Sequence, residues 1–526
     1  MYKTIAAIWL CFLTISTKAQ VWMPDNGDGT YKNPIIYADY SDPDVIRVGN
    51  DYYMVASSFN CQPGIPVLRS HDLVNWTIIN HVYDHLPLQR YQKMQAGQGS
   101  WAPSIRYHKG LYHVYFCTPE DGLFMASAAN PAGKWTLTLV QSIANWEDPC
   151  PFWDDNGKAY LLHGRVGAGP AILHKMSADG KRLLDNGTII YRDDKKQPTL
   201  EGFKFLDKRD GYYYFAAPAG GVGGGWQSVF RSKNIYGPYE DKIVLHQGNT
   251  PVNGPHQGGL VETQTGEWWF IHFQDKDAYG RILNLQPAVW KDGWPIIGED
   301  KDGTGIGQPV LTYKMPNVGK KYPACGPQTS DEFSSPILGL QWQWQAAPHA
   351  NWYSLAAHKG FIRLNAITNP TDSGSFLNAT NVLLQKFAAP GFTATTKLQF
   401  HPAANADRAG LAIVGNSSMF LCMERLANGN HIVLYQNNRE RRISIPKPLF
   451  KVPVNTNTVW LKVNVDANAM CRYAYSFDGI KFTDIGDAYK AEKGTWIGAK
   501  VGVVCLNPGL ILSKGYADFD FFRVTQ

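Results

Sequence analysis

The chain has 526 residues, of which 44% are hydrophobic and 18% charged. That length exceeds one ordinary core and predicts two domains, and the balance excludes a disordered chain, a collagen-like repeat and a coiled coil. The 50 basic residues against 44 acidic ones leave a net charge of +6, with no basic patch of the kind that binds nucleic acid. Aromatic residues reach 13%, including 17 Trp and 27 Tyr. So many flat faces at modest charge suit a ligand that stacks and offers hydroxyls, and equally suit a large β-protein with an aromatic core.

In chain order the first element is a leader over residues 1–19. Lys3 precedes an apolar run over residues 5–15, and Thr17, Lys18 and Ala19 put small residues at the cleavage positions. The run is too short for a membrane span. The pattern predicts an exported protein, periplasmic or extracellular, that begins at Gln20. Seven cysteines follow, at Cys61, Cys117, Cys150, Cys325, Cys422, Cys471 and Cys505. Their odd number and the lack of any C-x-x-C argue against a zinc knuckle or a full disulfide framework. Buried thiols are expected, with room for one or two disulfides.

Over residues 20–300 one phrase returns five times, at 49–56, 110–116, 157–163, 210–216 and 266–272. Each copy is a turn residue followed by an aromatic, apolar strand. The spacing, from 47 to about 60 residues, is that of a four-stranded propeller blade. Five copies predict an all-β domain with five blades around a channel. Nine or ten residues before each phrase stands a polar or aromatic residue: Asp42, Trp101, Asp148, Glu201 and His256. Innermost strands line a propeller's channel, so these five are expected to converge. An Asp before a Pro also serves as a turn cap. Asp44, two residues along the strand from Asp42, and Asp39 are rivals for its place. Glu147 is one residue out of phase with Asp148 and is expected to face away.

Residues 301–329 are rich in Gly, Pro and Lys and read as a linker. From 330 to 526 the pattern is alternating strands, as in 392–400, 459–465 and 516–524. They predict a two-sheet β-sandwich of jelly-roll type.

Several motifs stand in one order along the mature chain. They are Asn33-Pro34 leading into Ser41-Asp42-Pro43-Asp44, then Ser70-His71-Asp72-Leu73-Val74-Asn75-Trp76, Trp101-Ala102-Pro103, and Asp148-Pro149 before Asp154-Asp155-Asn156-Gly157. Glu201-Gly202-Phe203, His256 through Glu262, Trp290 through Pro295 and Asp331-Glu332-Phe333 complete the set. In these the chain resembles glycoside hydrolase family 43, in its two-domain β-xylosidase and α-L-arabinofuranosidase members with a concanavalin-like sandwich. The resemblance implies inverting hydrolysis, with Asp42 as general base, Glu201 as general acid and Asp148 as the carboxylate that tunes the acid. It implies Trp101, Phe59, Arg281 and His256 as sugar contacts. It leaves room for a structural calcium ion on His256, and no cofactor is needed for the chemistry. The chemistry independently asks for one acid and one base far enough apart to admit water, about 6.5–9.5 Å. Like-charge repulsion from Asp148 is expected to keep Glu201 protonated. The expected substrate is a terminal α-L-arabinofuranose or β-D-xylose on arabinoxylan, arabinan or xyloglucan fragments. A non-catalytic carbohydrate-binding protein and a retaining five-bladed glycosidase are the alternatives. The glycine-rich stretch 219–226 leaves the choice of sugar open.

Overall fold

The computed structural model describes residues 20–368, 378–438, 446–509 and 512–526. The expected leader, residues 1–19, lies outside them. Each aromatic phrase forms the second strand of a four-stranded antiparallel sheet, as Asp51–Val55, Leu111–Thr118, Ala159–Arg165, Tyr212–Ala219 and Trp268–Asp275. The five sheets span 44–83, 101–141, 146–191, 204–245 and 256–297, and each is built from four consecutive strands. They are the five blades of a propeller.

The aromatic phrases are explained by what lies between the blades. A separate apolar cluster fills each of the joints, such as Tyr53, Val67, Val114 and Phe116 between blades one and two. Phe152 and Phe205 stack at 4.9 Å between blades three and four. Val45, Met54, Trp269 and Ile271 close the ring between blades one and five. No strand is exchanged there. Thr30–Lys32 instead pairs with Thr312–Lys314, and Ile36 bridges to Leu283. Part of the expected linker therefore forms a short strand pair with the start of the chain.

The second domain stacks two sheets, one of eight strands and one of seven. Phe392–His401 shows why they face each other: buried and half-buried residues alternate along its whole length, as a strand with one face in a core requires. That core is continuous with propeller residues Tyr37 and Tyr279. Tyr279 meets Phe387 at 5.5 Å and donates to the Asp466 carbonyl at 2.6 Å. Gln62 and Trp344 exchange backbone hydrogen bonds at 2.9 and 2.6 Å. The disulfides for which the sequence left room do not form: all seven thiols of the described chain are free, six of them buried.

The Ser70–Trp76 motif is structural. Asp72 is buried and accepts from the Val74 and Asn75 amides at 3.0 and 2.8 Å and from Asn75 Nδ2 at 2.8 Å, around Leu73 at φ 68°. Asp72→Ala would leave four donors without that acceptor, since the Ser70 hydroxyl also donates to Asp72 at 3.1 Å. We expect a loss of about 2–4 kcal/mol in denaturant unfolding, with blade one as the site of damage. A loss under about 0.5 kcal/mol, the scale of an ordinary surface change, would contradict that role.

Candidate active site

At the head of each innermost strand one extra residue is inserted, and it adopts a left-handed backbone. These residues are Asp42 (φ 54°), Ala102 (35°), Asp148 (55°), Gly202 (65°) and Gln257 (43°). In blades two, three and five the ladder shifts register across that residue, which is a β-bulge. Only one of the five is glycine, so four side chains are held in a conformation that L-residues seldom adopt. In blades two and three the bulge turns two consecutive side chains toward the pocket, Trp101 with Ala102 and Glu147 with Asp148. Sequence spacing had put Asp42, Trp101, Asp148, Glu201 and His256 at one equivalent position. The structure divides them between two. Asp42 and Asp148 are the bulge residues, whereas Trp101, Glu201 and His256 precede one. Glu147 belongs to the second set, and the expectation that it faces away is wrong. It lines the same pocket as Asp148.

That pocket, about 200 Å³, is lined by Asp42, Glu147, Asp148, Glu201 and Arg281, with Phe59, Trp101 and Trp496 among its apolar walls. Asp42 is buried and fully partnered. Its Oδ1 accepts from Arg281 Nη1 at 2.7 Å, and its Oδ2 from Ser57 and Ser41 hydroxyls at 2.6 and 3.0 Å. Ser57 Oγ also accepts from the Ala102 amide at 2.7 Å, which ties blade one to blade two. The rivals are engaged elsewhere. Asp44 pairs with Arg106 at 2.6 Å. Asp39 accepts from the Arg281 amide at 2.9 Å and from the Gly498 amide at 3.0 Å, joining the sandwich to the propeller.

Asp148 accepts from the Gly202 amide at 2.6 Å, so it positions the backbone that carries Glu201. Burial, and then repulsion from Glu201, push its carboxyl up to about 7. Burial and the neighbouring Asp148 and Glu201 push Glu147 up to about 10. Glu201 moves the other way. Burial raises it, but the His256 hydrogen bond and charge, with Arg281, outweigh burial and hold it below the ordinary value. The expected tuning is thus displaced. Four acids crowd one pocket, and the upward shift falls on the two that lack a basic partner.

His256 stands behind Glu201 rather than in the pocket. It is fully buried, with Nε2 2.8 Å from Glu201 Oε1 and its ring against Phe273. It does not line this pocket, which corrects its expected placement among the sugar contacts. Its Nδ1 is buried without a partner, but no group of three His, Cys, Asp or Glu among the described residues could hold a metal, and one imidazole supplies none of the six to eight oxygen ligands that calcium takes.

Trp101 and Phe59 line the pocket, edge to face at 6.2 Å. Sequence did not show Trp496. This residue of the sandwich meets Trp101 at 6.1 Å, stays 51% exposed, and has its backbone at φ 66°. The glycines around it were the available signal. Gly97 leaves room for Thr495 and Trp496, where a Cβ would lie 2.5 Å from Thr495 Cγ2. Val222 brings the glycine-rich stretch to the pocket.

Comparison with known proteins gives the same assignment. The model of glycosyl hydrolases family 43 matches residues 31–295, and that of the β-xylosidase C-terminal concanavalin A-like domain matches 330–525. A protein of Xylanibacter ruminicola provisionally named a β-xylosidase is 45% identical, over 93% of this chain and 88% of its own. The non-reducing end α-L-arabinofuranosidase BoGH43B of Bacteroides ovatus is 32% identical, over 81% of this chain and 80% of its own. Among solved structures, the GH43 protein BlXynB from Bacillus licheniformis superposes with a TM-score of 0.82 at 27% identity, covering 94% of this chain and 99% of its own.

The Asp148 shift makes a stability prediction. Its carboxyl lies near 3.8 in the unfolded chain and is pushed up to about 7 in the fold. The native state therefore holds this proton more tightly, and the resulting stability is complete below 3.8 and lost as pH rises through about 7. Asp148→Asn carries no such proton. In thermal melts from acid to neutral pH the wild type should lose ground steadily to the variant. A difference in Tm that stays flat over that window would show that the carboxyl binds its proton equally in the folded and unfolded chain.

Proposed function

The chain belongs to glycosyl hydrolases family 43, and from that premise we propose that it is an exo-acting, inverting glycosidase that removes terminal α-L-arabinofuranose or β-D-xylose from plant cell-wall glycans. One observation carries the assignment of roles: Asp42 of blade one and Glu201 of blade four reach a single pocket, each held by its own partners. Asp42, oriented by Arg281 and two serines, takes a proton from the attacking water. Water's oxygen bonds to the anomeric carbon as the glycosidic bond breaks, and Glu201 passes its proton to the leaving oxygen. The product carries the inverted anomeric configuration. Asp42 is left protonated and Glu201 ionised, and exchange with solvent resets both.

The small pocket, walled on one side by Trp496, supports entry of a chain end rather than a polymer's middle. Relatives named for β-xylosidase and for non-reducing end arabinofuranosidase activity support the two pentoses, with xylan, arabinoxylan and xyloglucan fragments as sources. A polymeric substrate fits an exported enzyme, which the leader-like start of the chain supports. No helix among the described residues is long and apolar enough to cross a membrane.

Glu201 is held low in the free pocket, so substrate must restore its proton. A bound sugar expels water, and desolvation favours the neutral acid. His256 opposes that. His256→Phe should therefore shift the alkaline limb of kcat/KM, which reports the acid of the free enzyme, to higher pH. A shift to lower pH would contradict the assigned sign.

The reaction itself is tested by following the anomer of released pentose by NMR at early times, and net retention would overturn the role of Asp42. Glu201→Gln should lose roughly 10²–10⁴-fold on natural glycosides but far less on nitrophenyl glycosides, whose leaving group needs no proton. Asp42→Asn should lose both alike.

A further inference from the structure

Two side chains that line the pocket each bury a polar atom without a partner. Glu147 Oε1 and Gln257 Nε2 are both buried and make no hydrogen bond, although both side chains line the cavity. Their residues are 5% and 4% exposed. Leaving such an atom unpaired is costly, and two side chains that line one cavity each carry one, a cost that a turn toward a bound ligand would relieve. Each stands on the repeated bulge: Glu147 occupies in blade three the position that Glu201 occupies in blade four, and Gln257 is the bulge residue of blade five.

The surroundings decide the state of Glu147. Asp42, Asp148 and Glu201 share its cavity, Arg281 is paired with Asp42, and His256 is turned to Glu201. A further negative charge there would have no cation of its own. Burial and these neighbours both favour the protonated form. A neutral carboxyl has one O–H donor and a remaining acceptor, whereas a carboxylate only accepts. A sugar hydroxyl also donates and accepts, so the neutral acid complements it. The amide Nε2 of Gln257 supplies a donor alone. The aromatic walls between them take the ring faces.

We propose that Glu147, as a neutral carboxylic acid, and Gln257 are substrate-binding residues that hydrogen-bond hydroxyls of the terminal pentose and set which pentose is accepted. This rests on the exo-glycosidase reading and adds to it the groups that read the sugar.

The test pairs variants with substrates that lack single hydroxyls. Nitrophenyl β-D-xyloside, nitrophenyl α-L-arabinofuranoside and their monodeoxy analogues are assayed with the wild type, Glu147→Ala, Glu147→Gln and Gln257→Leu. Glu147→Ala should lower kcat/KM about tenfold or more, the worth of a good hydrogen bond, and should erase the penalty that the wild type suffers when one particular hydroxyl is missing. Glu147→Gln keeps a neutral donor and should stay within a few-fold of wild type, with an unchanged pH profile. Gln257→Leu should erase the penalty at a different hydroxyl. Equal deoxy penalties in wild type and variants would overturn the proposal, and so would Glu147→Gln as damaged as Glu147→Ala, since that demands an anion. Should Glu147→Ala fail to fold, Glu147→Gln and Gln257→Leu decide alone. A wild type inactive on both glycosides would refute the glycosidase reading instead. Calorimetry with free D-xylose and L-arabinose would then still show whether Glu147→Ala and Gln257→Leu weaken pentose binding, and unchanged binding would overturn the inference on its own.

Discussion

One inserted residue at the head of each innermost strand determines what this propeller can do. A regular strand alternates its side chains and would offer the channel one residue per blade at that level. The insertion, held at positive φ in Asp42, Ala102, Asp148, Gly202 and Gln257, presents two in blades two and three and changes which residue is presented in the others. Acid, base, the second acid pair and an aromatic wall all fit around one narrow pocket because of that doubling. The strain is tolerated because neighbouring blades lock it. Asp148 accepts from Gly202, and Ser57 joins Asp42 to Ala102.

Crowded acids need an unequal distribution of cations. Arg281 serves Asp42 and His256 serves Glu201, while Asp148 and Glu147 have neither. Lys204 lies buried nearby but is held by the Pro103 carbonyl and the Ser104 hydroxyl at 3.0 and 2.9 Å. The same residue type therefore fills different roles in adjacent blades. One carboxyl is paired and oriented, one is drawn toward ionisation, and two are biased toward keeping their protons.

Much of the fold was legible because propeller blades repeat. A turn residue followed by an aromatic strand is a local signal, and its five copies fixed blade number and order before any tertiary contact was known. Asp42, Asp148, Glu201, Trp101 and Arg281 were found because spacing from those turns, or a family motif, points to them. Glu147 was lost for a physical reason. Alternation assumes an uninterrupted strand, and a bulge breaks the phase at the very residue in question. Trp496 could not be seen from local pattern, since it lies some 400 residues from Trp101 and comes from the other domain. His256 was found but misplaced, because spacing gives the level of a residue in the channel and not the side of its neighbour on which it rests.

The ring closes without a shared strand. Blades one and five meet through an apolar seam, reinforced by the pairing of Thr30–Lys32 with Thr312–Lys314 and by the Ile36–Leu283 bridge. Blade five also separates the blades that carry Asp42 and Glu201. The distance between base and acid is therefore set in part by the seam between blades one and five. Any loosening of that seam widens or narrows the space left for the attacking water. The stretch that joins the two domains thus acts as a hoop around a barrel, holding the reaction's geometry from the rim.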